Sequence, residues 1–411
     1  MKKVLSEAIA EIRPDSKYEK EILKKASAII KEINFSLKNA KAVLGGSGAK
    51  GTWLKTFDAD IFVKFNYSKY NEKSDQLSDL LSTFLKKHYK ITRLHGSRDY
   101  FQIRESKFTF EIVPILEIRN AEQARNITDV SPLHSNFVKK HSKLVDEIRL
   151  TKQFFKAAKV YGAESYIRGF SGYVCEILTI NYGSFLKLIK VISKWKEKTT
   201  VDVKNYYKGK QIFMELNKSK LTSPIIVIDP VQKDRNAAAA LDHEKFEIIK
   251  HRAKEFLKKP SIEFFRVKTL TEPEIRKKFG KKVVILKAIP LKKKEDVAGA
   301  KMLKAFHYIE NELTNYGFEI IESDMLWHQL DGLFYYTLKN DKLPKTKELL
   351  GPPVKIKKHA AAFKKKHKNA KMKKKRLFAI EKRKFPEAKS FVRALIKKSN
   401  VTDNVVSVKL I

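Results

Sequence analysis

The run Gly46-Ser47-Gly48-Ala49-Lys50-Gly51-Thr52-Trp53-Leu54 is followed after a short gap by Asp58-Ala59-Asp60-Ile61-Phe62-Val63. Upstream, Ala40 to Leu44 reads as a short strand ending in Gly45-Gly46. Downstream, Ala59 to Phe65 reads as another, with Ile61, Val63 and Phe65 in alternation. Side chains alternate along a strand, so two carboxylates separated by one residue point to the same face. Asp58 and Asp60 can therefore share a divalent cation, with a glycine, a hydroxyl and a lysine just before them. Phosphoryl transfer to a hydroxyl needs this set. Hard oxygen ligands hold Mg²⁺, which takes its remaining ligands from water and substrate phosphates. In a two-metal site one ion lowers the pKa of the attacking hydroxyl while the other stabilises the departing pyrophosphate. A third carboxylate is then expected, and Glu111, in the strand pattern Phe108 to Leu116, is the candidate. An acid inside an apolar strand is costly to bury unless something positive meets it.

Working outward, apolar residues Ile22, Ala26, Ile29, Ile30 and Ile33 recur at helical spacing between Lys17 and Phe35, with Asp15 or Ser16 as cap. From His141 to Trp195 the pattern is helical. Beyond Pro260 the order is strand (Val283 to Leu286), helix (Met302, Phe306, Ile309, Leu313), strand (Phe318 to Glu322) and strand (Gly332 to Leu338), which predicts a small sheet with one covering helix. Gly351-Pro352-Pro353 reads as a break. It introduces Val354 to Phe385, expected to be basic and mostly helical, with nine Lys and Arg among the thirteen residues Lys364 to Arg376.

Composition narrows the function classes. The 87 Lys and Arg against 46 Asp and Glu leave a net charge of +41 over 411 residues. A one-sided field of this size attracts polyanions. No apolar run approaches the roughly 20 residues of a spanning helix, so nucleic acid fits better than membrane. A single cysteine, Cys175, excludes an intramolecular disulfide and a thiolate metal cluster. No targeting segment is evident, and a cytoplasmic location is expected.

Taken singly, Gly-Ser is common and an Asp-x-Asp pair is usually a turn or a solvated pair. In this order, with an acid on a later strand, the elements resemble the polymerase-β type nucleotidyltransferase signature. With Lys50-Gly51-Thr52-Trp53-Leu54 included, the head resembles the class I, archaeal-type CCA-adding enzymes. Ser131-Pro132-Leu133-His134, Val160-Tyr161-Gly162-Ala163-Glu164, Arg168-Gly169-Phe170-Ser171-Gly172-Tyr173, Val227-Ile228-Asp229-Pro230, Arg235-Asn236-Ala237-Ala238 and Gly351-Pro352-Pro353 resemble that family in order, so the likeness runs over nearly the whole chain. It departs at Glu111, where the family commonly has Asp, and at Ala59, where an aliphatic residue is usual.

The resemblance implies an α+β multidomain fold: a polymerase-β-like nucleotidyltransferase head (1–135), a helical neck (136–256), a small α/β body (257–345) and a basic tail (346–411). It implies Mg²⁺ on Asp58, Asp60 and Glu111. Gly46, Ser47, Lys50, His134, Lys152 and Tyr161 would surround the triphosphate, and Arg235 would face the incoming base. Read from composition alone, His134 is as well a structural histidine, Lys152 a solvated cation and Tyr161 core, while Arg235 could pair with Asp229 or Asp234. The implied partners are the 3′ end and acceptor arm of tRNA with CTP and ATP, without a membrane, and a homodimer is left open. Alternatives are a poly(A) or oligoadenylate polymerase, a catalytically silent RNA-binding protein, and a gap-filling DNA polymerase.

Overall fold

The alternation that marks Ala59 to Phe65 as a strand buries Ile61, Val63 and Phe65, and the first core grows around them. The computed structural model describes residues 1–55, 58–207, 211–328 and 331–411. It opens with helices α1 (Lys2–Ile12) and α2 (Ser16–Ser36). Asp15 caps α2 by accepting from the Tyr18 N–H, and Ile22, Ala26, Ile29 and Ile33 form its buried stripe. Next come β1 (Ala40–Leu44), the short helix α3 (Gly46–Lys50), β2 (Ala59–Phe65), α4 (Tyr67–Tyr70), α5 (Leu77–His88), β3 (Ile91–Leu94), β4 (Tyr100–Glu105) and β5 (Phe108–Leu116). The five strands form one sheet in the order β1-β2-β5-β4-β3. Strands β2 and β5 run parallel and the other neighbours antiparallel. The parallel pair sets Asp60 opposite Glu111. Helix α5 buries Leu77, Leu81 and Leu85 in the same core as α2.

Helices α6 (Ser131–Lys139), α7 (Val145–Ala157), α8 (Gly172–Tyr182) and α9 (Phe185–Ile192) follow. The helical pattern expected from His141 to Trp195 is interrupted at 158–171, where Gly162 and Arg168 both have positive φ. Strand β6 (Thr199–Val201), helix α10 (Ile212–Glu215), β7 (Ile225–Asp229), β8 (Gln232–Asn236) and helix α11 (His243–Lys258) complete this part, with a sheet in the order β6-β7-β8. A second core forms here. Phe154, Phe185 and Phe256 meet edge to face at centroid distances of 5.4 to 5.8 Å, a geometry aromatic quadrupoles favour. Ala8 and Ile12 of α1 belong to this core rather than the first. All of these elements lie in one compact unit, Met1–Lys268.

The second unit, Thr269–Ile411, contains α12 (Glu272–Phe279), β9 (Val283–Ile289), α13 (Glu295–Tyr316), β10 (Ile320–His328) and β11 (Asp331–Leu338). It continues with β12 (Thr346–Pro353), α14 (Lys357–Lys366), β13 (Lys371–Lys373), β14 (Arg376–Lys382), α15 (Ala388–Leu395), α16 (Ser399–Thr402) and β15 (Ser407–Leu410). The expected sheet under a helix is present, in the order β10-β11-β9-β15, its last strand coming from the chain's end. Two expectations fail. Gly351-Pro352-Pro353 is not a break but the end of β12, and Val354 to Phe385 is not mostly helical. Only α14 is helical there at length; β13 and β14 form a hairpin paired with β12, because Leu377 and Ala379 alternate inward at the strand period.

Candidate active site

Gly46 opens α3 with φ of +51°, a conformation that favours glycine. Its α-carbon also lies so close to Asp60 that a Cβ would overlap Oδ2 of the carboxylate. The Gly45 N–H donates to the Asp60 carbonyl at 2.8 Å, fixing the turn on the strand. Gly51, at φ +68°, ends α3. The loop beyond is held from α7: Arg149 donates from Nη2 to the Gly51 carbonyl and from Nε to the Trp53 carbonyl, each at 2.8 Å.

Burial pushes the Asp60 carboxyl up to about 7; Glu111 and Asp58 add to the rise and Lys50 opposes it. Burial also raises Asp58, with Arg104 opposing. Gln102 Nε2 donates to Glu111 Oε1 at 2.9 Å. Asp58 just precedes β2 and is exposed, lining a cavity of about 750 Å³ with Asp15, Lys17, Tyr18, Glu21, Lys55 and Lys107. Among the described residues, no three His, Cys, Asp or Glu side chains gather within one cation's reach. The donor set nonetheless fits a hard divalent cation. It is all oxygen, and a half-buried carboxylate set against a second one is the arrangement that a cation relieves.

Lys50, the last residue of α3, donates to Glu176 Oε2 at 2.8 Å. Lys152 is not a solvated cation; its ammonium is buried and donates to Glu176 Oε1 at 2.7 Å and to Thr52 Oγ1 at 2.9 Å. Burial lowers the Lys152 pKa while Glu176 pushes it back up. Burial alone would raise Glu176, but Lys152 and Lys50 outweigh it and hold the carboxyl at about 2. Tyr161 reaches the same place. Its hydroxyl would lie 2.6 Å from a Cβ on Gly172, and Lys152 Cε 3.7 Å from that point. Glu176 was missed from sequence, although an acid between Cys175 and Ile177 in an apolar helix is the same signal that pointed to Glu111.

A second buried carboxylate gathers the remaining candidates. Asp229, at the end of β7, accepts from Arg235 Nη1 at 2.6 Å and from the Tyr173 hydroxyl at 3.1 Å, and lies 3.0 Å from His134 Nε2. Arg235 thus pairs with Asp229, while Lys220 is the cation on Asp234. His134 stacks on Tyr173 with ring centroids 3.9 Å apart. Burial lowers the His134 pKa, Asp229 raises it, and Arg235 and Lys50 lower it further. Ser47 lies on α3, which packs against the His134 helix α6. Arg168, in contrast, is exposed and paired only loosely with Asp242 at 3.8 Å.

Three family models match the chain: tRNA nucleotidyltransferase, second domain, over residues 146–266; CCA-adding enzyme, C-terminal domain, over 280–408; and Second Messenger Oligonucleotide or Dinucleotide Synthetase domain, over 1–132. The CCA-adding enzyme of Nanoarchaeum equitans is 46% identical over 209 residues, 50% of this chain and 52% of that one. This alignment thus spans about half the relative's length. That of Methanosarcina barkeri is 31% identical over 364 residues, 84% of this chain and 78% of that enzyme. That of Sulfolobus acidocaldarius is 33% identical over 316 residues, 76% and 71% of the two chains. A solved structure of Cid1, titled for its RNA terminal uridylyl transferase activity, superposes with a TM-score of 0.51 at 12% identity, covering 66% of this chain and 98% of that one. That likeness is one of fold.

Proposed function

The chain belongs to the CCA-adding enzyme family, and on that premise we propose that it adds C, C and A in turn to the 3′ end of tRNA, from CTP and ATP, with release of pyrophosphate and without a nucleic-acid template. The observation that carries this reading is the meeting of Asp60 with Glu111 across β2 and β5, under a glycine turn that ends in Lys50. The 3′-hydroxyl of the tRNA attacks the α-phosphorus, forming the new phosphodiester as its proton passes to water, and the bond from the α-phosphorus to pyrophosphate breaks. Asp58, Asp60 and Glu111 would hold Mg²⁺, which when bound supplies Lewis acidity to the attacking hydroxyl and to the departing pyrophosphate. Gly46 lets the α3 backbone approach Asp60. Ser47, Lys50, His134, Lys152 and Tyr161 orient the triphosphate, and Arg235 reads the base edge from its anchor on Asp229.

The four-part division into head, neck, body and tail belongs to the same proposal, with the basic tail gripping the acceptor arm through phosphates and 2′-hydroxyls. So does a cytoplasmic site of action; among the described residues no helix is long and apolar enough to cross a membrane. The test supplies each of the four labelled NTPs separately to a tRNA lacking its last three nucleotides, or carrying the first two of them. Incorporation from CTP and ATP but not from UTP or GTP is expected. Because the head matches a second-messenger synthetase domain, a reaction without tRNA is run beside it. Oligonucleotides formed there would overturn the tRNA reading.

Two further outcomes follow from this site and charge. Gly46→Ala, which places a methyl on Asp60 at a φ that alanine resists, lowers kcat/KM for CMP transfer by about a hundredfold or more and lowers the melting temperature by a few degrees. With a net charge of +41, tRNA affinity falls at least about tenfold between roughly 50 and 200 mM salt, as filter binding would show.

A further inference from the structure

Lys50 and Lys152 both close on the Glu176 carboxylate. Lys50 comes from α3, beside Asp60, and Lys152 from α7; Glu176 itself stands on α8 with its side chain fully buried. Thr52, in the loop after α3, donates to Glu176 Oε1 at 2.9 Å and accepts from Lys152 at 2.9 Å, so all four groups form one closed network. Two ammonium groups on one carboxylate leave a surplus positive charge. Its exposed end is Lys50, whose side chain retains 11% of its surface, whereas that of Lys152 retains 4%.

We infer that Glu176 is a positioning residue for the incoming nucleotide: it aligns the Lys50 and Lys152 ammonium groups for the triphosphate, then yields Lys50 to it while keeping its own hydrogen bond to Lys152. The inference rests on the proposed nucleotide site and assigns Glu176 no contact with substrate. A lysine already held and largely desolvated has less rotamer freedom to lose on meeting a phosphate than one free in water. The surplus charge gives the triphosphate a reason to enter, and Glu176 keeps the two ammonium groups from repelling one another apart. The network also ties the α3 turn to α7 and α8, so the lysines stay in register with Asp60.

The test is a double-substitution cycle on the full-length protein, read as equilibrium binding of CTP with Mg²⁺ in the absence of tRNA. Glu176→Gln and Lys50→Met each weaken CTP binding by about tenfold. If Glu176 acts through Lys50, the double variant is no weaker than Lys50→Met alone. Glu176→Asp, which keeps the charge on a shorter arm, recovers part of the loss. Should Glu176→Gln fail to fold, Thr52→Val replaces it in the cycle, removing only one hydroxyl, and the same non-additivity is expected. Unchanged CTP binding in a folded Glu176→Gln protein, or losses that multiply in the double variant, would overturn the inference. CMP transfer to tRNA is measured in parallel. A cycle that is non-additive for CTP binding while the wild type transfers nothing sinks the proposed function alone, and a wild type that transfers CMP while the losses in the cycle multiply sinks the positioning role alone.

Discussion

Replacing Asp60 with alanine abolishes nucleotide addition, lowering kcat/KM by about three orders of magnitude or more, and leaves tRNA affinity in place. The expectation follows from where the carboxylate stands: under the glycine turn, opposite Glu111 and within the field of Asp58 and Lys50. It carries a stability consequence of opposite sign. The folded-state pKa of Asp60 is raised to about 7, above the ordinary carboxylate value of 3.8, so the folded chain holds this proton more tightly than the unfolded one. Ionising it costs stability, and that cost is present above pH 7 and relieved as pH falls through 7. Asp60→Asn, which cannot ionise, therefore melts roughly 3 to 5 °C above the metal-free wild type at pH 8. The margin narrows as pH drops below 7 and closes only as pH approaches the ordinary carboxylate value of 3.8, and Mg²⁺ narrows it at high pH by stabilising the wild type. Scanning calorimetry of both proteins, with and without Mg²⁺, checks this. A wild type that melts no lower than the variant at pH 8 without metal would contradict it.

The second large effect belongs to Asp229. Its carboxylate serves His134, Tyr173, Arg235 and the Val231 N–H, with no part of the residue exposed. Asp229→Ala leaves an arginine and a tyrosine hydroxyl without their buried acceptor, which costs on the order of 3 kcal/mol of stability. Arg235 and His134 also lose their orientation, so KM for CTP and ATP rises by about tenfold to a hundredfold. Urea denaturation and steady-state kinetics measure the two arms. Asp229→Asn keeps an acceptor oxygen and should recover much of the stability but little of the nucleotide affinity, because the charge that holds Arg235 is gone.

The head was legible because its signals are local. Ala40–Leu44, Ala59–Phe65 and Phe108–Leu116 carry clear strand patterns, and the structure has strands with those bounds. Asp60 and Glu111 lie opposite one another on two of these strands, whereas Asp58, read with Asp60 as the carboxylate pair, precedes β2 and is exposed. What the residue pattern hides is pairing across distance. Lys152 looked solvated because nothing near it in sequence neutralises it; its partner Glu176 lies 24 positions on, in another helix. Arg149 and its hold on the Gly51 and Trp53 carbonyls were invisible for that reason too.

The tail failed differently. The β13–β14 hairpin turns on Lys374 and Lys375, both at positive φ, where Asn-Gly or Gly residues usually announce the turn. Lysines carry no such signal, and their abundance masks the strand alternation of Leu377 and Ala379.

The most direct measurement is a time course at single-nucleotide resolution on a tRNA lacking its last three nucleotides, with CTP present from the start and ATP added later. The account predicts that CTP alone carries the product forward by two residues and no further, that ATP then adds one, and that extension stops, with the Asp60→Ala protein inert throughout. Long adenylate tails, continued addition of C, or no transfer by a folded protein that binds the tRNA would contradict it.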